Sequence, residues 1–188
     1  MAARPEVMEF LLTRRSRPPK LLRAPGPDRA ALIPLLTAAA RVPDHGKLEP
    51  WRFVALAGTG KERFAAAIRA RGEATGQDGA KGASAFEEAP VCVAVVAVPR
   101  DTAKIPAREQ ELSAGAVCLS LVNAALASGW GAAWLTGWVA HDRGFAAKAF
   151  GLAPDEWVAG LIHIGTQSAE PPERPRPDVA ALTAWVAE

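Results

Sequence analysis

The sequence predicts an α/β or α+β sandwich, a fold in which strands separated by helices share one core. Residues 91–98 (VCVAVVAV) form a continuous apolar, β-branched run, which is typical of a central strand buried on both faces. The middle of residues 106–127 is apolar almost all round, and this pattern favours a long helix in the core rather than on the surface. With 188 residues, the chain has the length for one domain of this kind.

Two helices are predicted in the N-terminal part of the chain. Residues 6–13 place apolar side chains at positions i, i+3 and i+4, which is the spacing of a short amphipathic helix. A proline-rich connector follows, and a second helix begins after Asp28, a good N-cap residue, and continues to residue 40. Because proline lacks an N–H donor, Pro34 is expected to kink this second helix.

The stretch around which the rest of the chain is organised covers residues 41–53 and reads RVPDHGKLEPWRF. Its prolines and its glycine exclude continuous regular structure, so a loop over residues 41–50 leads into a strand over residues 51–56. The loop presents five charged or polar side chains, which are those of Arg41, Asp44, His45, Lys47 and Glu49. Taken alone, it is either a polar surface turn or a loop in which Arg41 and His45 face an anionic ligand.

The elements that follow alternate between helix and strand. Helices are predicted over residues 61–71 and 143–150, the second ended by Gly151, and strands over residues 132–136 and 157–164. Residues 72–82 carry four glycines, and this segment is predicted to be the most mobile one.

The C-terminal residues are predicted to form an extended arm. Residues 168–178 contain four prolines, and apolar side chains beyond them (Leu182, Trp185 and Val186) suggest docking on a partner subunit. No internal repeat or second domain is evident. The prediction is therefore a single domain over residues 1–188, with residues 168–188 as its extended C-terminal arm.

Charge and composition limit the classes of function. The formal net charge of +2 is too balanced for non-specific nucleic-acid binding. Residues 1–25, however, hold six basic and two acidic side chains, a local patch suited to one phosphate-bearing ligand. No signal peptide or apolar run long enough to span a membrane is evident, so a cytoplasmic protein is expected. Cys92 and Cys118 lie in apolar runs and are expected to be buried thiols.

Common nucleotide and metal motifs fail on inspection. Residues 58–61 (GTGK) are followed by Glu62, where a phosphate loop needs a hydroxyl side chain. Residues 129–131 (GWG) lack the third glycine of the dinucleotide fingerprint. The three histidines share no ligand spacing, and His163 is expected to be a core residue. Metal-dependent and nucleophilic catalysis are therefore poorly supported, and no metal site is predicted.

The sequence Arg14-Arg15-Ser16 follows the first predicted helix. Two arginines at a helix C-terminus complement the helix dipole and need no ligand to explain them. The alternative is an anion site, because guanidinium groups bind phosphate through paired hydrogen bonds and a serine hydroxyl supplies a further donor.

The order of several motifs resembles the flavin-dependent nitroreductase family, and within it the small YdjA-like branch. Arg14-Arg15-Ser16 after a short helix is one of them, and R-x-P-D-H-x-x-x-x-P-W from Arg41 into a strand is another. The remaining matches are Arg108-Glu109-Gln110-Glu111, Ser113-Ala114-Gly115 and Trp134-x-Thr136-Gly137. The likeness extends over residues 6–165 in a consistent order.

The resemblance implies an α+β three-layer sandwich, with a central mixed sheet flanked by helices, that assembles as an intertwined homodimer. It also implies an oxidoreductase that holds FMN at the dimer interface. Such an enzyme takes electrons from NAD(P)H and reduces nitroaromatic, quinone or similar small-molecule acceptors by a ping-pong mechanism. Neither nucleic acid nor a membrane is an expected partner.

Site residues are carried over by the same resemblance. Arg14, Arg15 and Ser16 would bind the FMN phosphate and ribityl chain, and Arg41 and His45 would reach the flavin of the partner subunit. The other side of the site would be lined by Trp134, Leu135 and Thr136. No side chain is assigned as catalytic, because the flavin itself carries the hydride chemistry.

Three departures from the family pattern leave the acceptor and the preference between NADH and NADPH open. Lys47 stands where asparagine is frequent, Glu49 where glutamine is common, and Leu135 where near relatives have arginine. Two other functions also remain open from the sequence. One is a non-catalytic protein that binds or sequesters flavin, and the other is a module that uses its N-terminal basic patch to bind a phosphate ligand or nucleic acid.

Overall fold

The computed structural model describes residues 2–186. Seven α-helices lie in this part of the chain: α1 (Pro5–Thr13), α2 (Arg29–Ala39), α3 (Gly58–Thr75), α4 (Gly79–Glu88), α5 (Ala107–Ala127), α6 (Trp138–His141) and α7 (Arg143–Phe150). Five strands accompany them: β1 (Leu22–Arg23), β2 (Trp51–Ala57), β3 (Val91–Ala97), β4 (Gly131–Leu135) and β5 (Trp157–Gln167). Short 3₁₀ turns cover Pro19–Leu21 and His45–Lys47.

The strands form one sheet that is built around β5. Strand β5 pairs along one edge with β3, and β3 pairs in turn with β2. Along its other edge, β5 pairs first with β4 and, nearer its C-terminal end, with β1. Every pairing within residues 2–186 is antiparallel, so the prediction of a mixed sheet is wrong for this part of the chain.

The connections explain why no parallel pair forms there. Helices α3 and α4 lead the chain out and back, so that Ala57 at the end of β2 lies opposite Val91 at the start of β3. A single helix, α5, connects β3 to β4, and these two strands therefore run in the same direction. They are not paired with each other, because β5 lies between them.

Helices cover both faces of the sheet, as the predicted three-layer sandwich requires. One core cluster joins β3 and β5 to α2 and α5, and the other joins the opposite faces of these strands to α3, α4, α6 and α7. All seven residues of β3 are buried, which confirms the prediction of a central strand covered on both faces. The two cysteines are buried free thiols, as expected.

The longest helix is a core helix. By length and composition, α5 is the one helix in the described part of the chain that could cross a membrane. Eight of its residues are nevertheless buried within this fold, and its neighbours are α2 and strands β3, β4 and β5. Packing against the sheet and α2 explains the apolar residues of its buried face, whereas Leu112 and Leu119 are 66% and 46% exposed.

The glycine-rich segment, for which the sequence predicted mobility, is mostly helical. Helix α3 continues to Thr75, and α4 begins at Gly79. A β-carbon on Gly72 would lie 2.5 Å from the α-carbon of Gly79, so both glycines are required where the two helices meet. Close approach of two backbones explains these residues, and it cannot be inferred from one segment of sequence. Strand β1 and helix α6 were not predicted, because they are too short to show a period.

The C-terminal tail leaves the sheet after Gln167. Residues 168–178 contain no helix or strand, and the apolar side chains of Leu182, Trp185 and Val186 are 74%, 86% and 101% exposed. These side chains therefore have no packing partner of their own within residues 2–186. Ala187 and Glu188 at the end of the predicted arm, and Met1 at the start of the predicted domain, lie outside the described residues.

Candidate functional site

Arg14, Arg15 and Arg17 line a cleft of about 590 Å³, whereas Ser16, which lies between them in sequence, is not among the lining residues. Helix α1 ends at Thr13, and Arg14 continues with an extended backbone (φ −55°, ψ 141°). The amide of Arg17 then donates a hydrogen bond of 2.8 Å to the carbonyl of Ala132, which fixes the segment beside β4. The end of α5, Trp130 and residues 167–173 of the tail form the other walls. We refer to this cavity as the basic cleft.

Two guanidinium nitrogens in the basic cleft are buried without a well-aligned hydrogen bond among residues 2–186. These atoms are Nε of Arg14 and Nη1 of Arg15. Burial lowers the pKa of Arg14 from its usual value, and the nearby charges of Arg176 and Arg15 act in the same direction. Because a buried donor without an acceptor is costly, Nε of Arg14 fits an anion such as a phosphate, whereas Nη1 of Arg15 already has the carboxylate of Glu173 3.1 Å away.

Two glutamates of the tail lie at the edge of the basic cleft. The carboxylate of Glu173 lies 3.1 Å from Nη1 of Arg15 and also accepts a hydrogen bond of 3.0 Å from Nε of Arg176. The carboxylate of Glu170 lies 3.9 Å from Arg17, which also donates to Gln167. The pKa of Glu173 is lowered mainly by a hydrogen bond from the backbone N–H of Arg174, and further by the positive charges of Arg176 and Arg15.

Arg17 and Arg176 are two cationic side chains at this cleft that the sequence-based assignment omitted. Arg17 is in the same basic cluster as Arg14, and its proximity in sequence was a usable signal. Arg176 lies in a proline-rich tail far along the chain, and only the return of that tail to the cleft places it near Arg14. A local motif search could not have found it.

The other predicted site residues of this region, Trp134, Leu135 and Thr136, lie at the end of β4. Trp134 and Leu135 are 40% and 38% exposed, and Thr136 is exposed beyond the strand. The amide of Arg17 bonds Ala132, so the basic segment runs beside the first half of β4, and Trp134 follows two residues further along the strand. Trp134, Leu135 and Thr136 do not line the basic cleft itself.

Gly160 of β5 sets the position of Trp134. A β-carbon there would clash with Nε1 of the Trp134 indole and would lie 2.8 Å from Sγ of Cys118. We expect Gly160→Ala to destabilise the protein by about 1–2 kcal/mol, since this rigid site must repack. Urea unfolding of the variant measures the effect. Gly60→Ala is the control, because a β-carbon on Gly60 meets nothing within 4 Å; equal stability of Gly160→Ala and wild type would contradict the packing argument.

Arg41 and His45 lie elsewhere, in the loop between α2 and β2. The carboxylate of Asp44 accepts hydrogen bonds from the amides of Leu48 (3.1 Å) and Glu49 (2.9 Å). The hydroxyl of Ser113 on α5 donates to the carbonyl of Pro43 (2.8 Å). The loop is therefore closed on itself and fastened to the first half of α5.

Three residues of this loop have left-handed backbone angles, namely Gly46 (φ 74°), Lys47 (φ 54°) and Glu49 (φ 48°). Such angles are uncommon for residues other than glycine, so the surrounding contacts must maintain them. Arg100 supplies two of these contacts, because its guanidinium donates hydrogen bonds to the carbonyls of Leu48 (3.1 Å) and Glu49 (3.3 Å). The departures Lys47 and Glu49 thus occupy constrained backbone positions.

His45 is far from the basic cleft within one protomer. It contacts Glu109 in the first turn of α5, whereas the basic cleft contacts Leu126 at the other end of this helix. At a rise of 1.5 Å per residue, these two positions on α5 are roughly 25 Å apart. His45 therefore does not join Arg14 in a single site of the same protomer.

Within the described part of the chain, no group of three or more His, Cys, Asp or Glu side chains is arranged to hold a metal ion. Cys92 on β3 and His163 on β5 form a buried pair, with 3.9 Å between Sγ and Nε2.

The sequence model of the Nitroreductase family matches residues 11–166, and the chain belongs to this family. It is similar to YdjA of Escherichia coli strain K12, which is provisionally named an NAD(P)H nitroreductase, with 34% identity over 164 residues. That match covers 86% of this chain and 88% of YdjA. A protein of Haemophilus influenzae with the same provisional activity name is 34% identical over 170 residues.

Solved structures agree on the fold. A nitroreductase-like protein from Bacillus cereus superposes with a TM-score of 0.82 at 20% identity and covers 99% of this chain and 98% of its own. A variant of NfnB, named as an FMN- and NADPH-dependent nitroreductase from a Sphingopyxis strain, gives 0.76 at 19% identity, with coverage of 95% and 97%. The predicted family and α+β class are therefore confirmed.

Proposed function

We propose that this protein is a cytoplasmic, homodimeric, FMN-dependent oxidoreductase that uses NAD(P)H to reduce nitroaromatic, quinone or similar acceptors by a ping-pong mechanism. The observation that carries the proposal is the basic cleft, where Arg14, Arg15 and Arg17 come together and Nε of Arg14 is buried without an acceptor among residues 2–186. Membership of the nitroreductase family supports it. Two similar proteins support it as well: YdjA is named as an NAD(P)H nitroreductase, and NfnB is named as dependent on FMN and NADPH.

Arg14, Arg15 and Ser16 would hold the FMN phosphate, with Arg17 and Arg176 adding positive charge. A phosphate monoester carries close to two negative charges near neutral pH and offers three acceptor oxygens. Those oxygens can satisfy the guanidinium N–H groups, and the Ser16 hydroxyl lies within 3.3 Å of Arg14 Nη2 on the same segment. Neutralising clustered cations by a dianion also removes the repulsion between Arg14 and its neighbours.

Trp134, Leu135 and Thr136 would border the flavin ring. Their side chains are exposed at the end of β4, a strand whose start lies beside the basic cleft, so they offer an apolar and hydrogen-bonding wall without any conformational opening. When bound, FMN supplies the two-electron chemistry between nicotinamide and acceptor, while the protein residues hold it and exclude water.

A second copy of the chain would complete the site. His45 contacts α5 roughly 25 Å along the helix from the basic cleft, so in this proposal it reaches a ligand there from the other subunit, and Arg41 of the same loop is assigned with it. Exposed apolar side chains on α1 and α5 support such an assembly: those of Val7, Leu11, Leu112 and Leu119 are between 44% and 66% exposed. Burial of these side chains between two copies would remove them from water.

Mixed dimers test whether two subunits share each site. One variant carries Arg14→Ala with Arg15→Ala, and the other carries Arg41→Ala with His45→Ala. Refolding equal amounts together makes half of the dimers mixed, and one of the two sites in each mixed dimer is intact. We expect about one quarter of the wild-type FMN sites to return, while each variant alone binds weakly. Lack of recovery would contradict a shared site.

Glu173 is expected to compete with the phosphate for Arg15. Replacing it by glutamine removes the carboxylate 3.1 Å from Arg15 Nη1, so FMN affinity should rise modestly, by roughly twofold to fivefold for such an exposed pair. A fluorescence titration with FMN measures this change. Glu9→Gln on α1 is the control, because its side chain is exposed and does not line the cleft. A loss of affinity in Glu173→Gln would mean that Glu173 supports the phosphate site instead.

A further inference from the structure

His45 is held by one side-chain contact from α5. Its Nδ1 lies 2.7 Å from Oε2 of Glu109, which is in the first turn of this helix. An ionised carboxylate can only accept a hydrogen bond, so Nδ1 must carry the proton. In a neutral imidazole, Nε2 is then an acceptor, and it lies on the side of the ring away from Glu109. The side chain of His45 is 61% exposed, which leaves Nε2 available to a ligand.

The backbone on both sides of His45 is already fixed. Ser113 binds the carbonyl of Pro43, and Asp44 binds the amides of Leu48 and Glu49. A β-carbon on Gly46 would clash with the side chain of Ile105, so this position is closely packed as well. With the main chain held, the contact with Glu109 decides how the imidazole is oriented and which nitrogen is protonated.

We propose that Glu109 is a positioning residue that holds His45 as the Nδ1–H tautomer and presents Nε2 as a hydrogen-bond acceptor to the ligand. This inference deepens the proposed function and rests on it for the identity of the ligand. The oxidised flavin ring carries one N–H group, an imide, and the acceptor at Nε2 matches that group. In the Nε2–H tautomer, His45 would offer a donor to this imide N–H instead, and the two N–H groups would oppose each other.

The first test needs no bound cofactor. ¹⁵N NMR of histidine-labelled protein, at a pH where the imidazole is neutral, distinguishes a protonated from an unprotonated Nδ1. The His45 signals are assigned by their absence in His45→Ala. We expect Nδ1–H in the wild type, mainly Nε2–H in Glu109→Ala, and a return toward Nδ1–H in Glu109→Gln, which keeps an acceptor oxygen. Glu111→Ala is the matched control, since Glu111 is an exposed glutamate two residues along α5.

The second test is FMN binding by the same variants. Loss of one positioned hydrogen bond should weaken binding in Glu109→Ala by roughly threefold to tenfold, with Glu109→Gln closer to the wild type and Glu111→Ala unchanged. An unprotonated Nδ1 in the wild type, or the same tautomer in Glu109→Ala, would overturn the assignment. A changed tautomer with unchanged FMN affinity would overturn the positioning role. If the wild type binds no FMN, the proposed function fails, and the tautomer alone then supports or overturns the contact with Glu109.

Discussion

Replacing Arg14 by alanine is expected to weaken FMN binding by about 1.5–3 kcal/mol, roughly 10- to 150-fold, because one charge-assisted contact with the phosphate is lost. Its guanidinium is partly buried in the basic cleft, and its Nε has no aligned acceptor within the described chain. A phosphate therefore gains a hydrogen bond there without displacing an existing one. Equilibrium titration of the FMN-free protein, followed by flavin fluorescence, measures the change.

Arg14→Ala should not destabilise the FMN-free protein to the same extent. The charges of Arg176 and Arg15 already disfavour the protonated form of Arg14, so removing this side chain relieves repulsion between cations. Urea unfolding of both proteins separates this effect from binding. Arg4→Ala is the matched control, since Arg4 is an exposed arginine at the other end of α1. Unchanged FMN affinity in Arg14→Ala, or an equal loss in Arg4→Ala, would refute the phosphate assignment.

Acidification from pH 7 to pH 4 is expected to lower the free energy of unfolding by on the order of 3 kcal/mol through His163 alone. This side chain is fully buried between β3 and α4, where it packs edge-on against Phe86. Burial lowers its pKa from 6.5 to about 4, and the charge of Lys61 acts in the same direction. At pH values between 6.5 and about 4, His163 is protonated in the unfolded chain but mostly neutral in the folded protein, so the free energy of unfolding falls as the pH falls.

The pH window separates His163 from the carboxylates. Arg52 lowers the pKa of Glu156 below 4.5, and Arg71 lowers that of Asp142 below 3.8, so their stabilising contributions are lost only at more acid pH. His163→Leu should therefore flatten the stability curve between pH 6.5 and 4.5, while His141→Leu, at an exposed position, should not. Urea unfolding at fixed protein concentration measures both variants. An unchanged curve in His163→Leu would refute this attribution.

Local chemistry explains why parts of the fold could be predicted from sequence. The side chain of Asp28 accepts a hydrogen bond of 2.8 Å from Ala31, as its N-cap role requires. The apolar run of β3 and the long apolar stretch of α5 are properties of single segments, and the structure confirms both. The antiparallel sheet was missed because strand direction depends on the return of α3 and α4, which no single segment encodes.

The candidate site divides in the same way. The arginine pair and the end of β4 could be proposed from short motifs, and the segment that carries the arginines is bonded to β4 at Ala132. Arg176 comes near Arg14 only through the folding of the tail, and Arg100 supports the central loop from 50 residues away. These roles depend on tertiary contacts between distant segments, so residue type and spacing alone could not reveal them.

An anaerobic absorbance spectrum of the purified protein, before and after addition of NADPH and then NADH, tests the central claim most directly. We predict a flavin band, present on purification or restored by added FMN, that bleaches when the preferred nicotinamide is added. A flavin band that persists with both donors would contradict the oxidoreductase and favour a flavin-sequestering protein. Absence of flavin together with failure to bind added FMN would contradict the cofactor site itself.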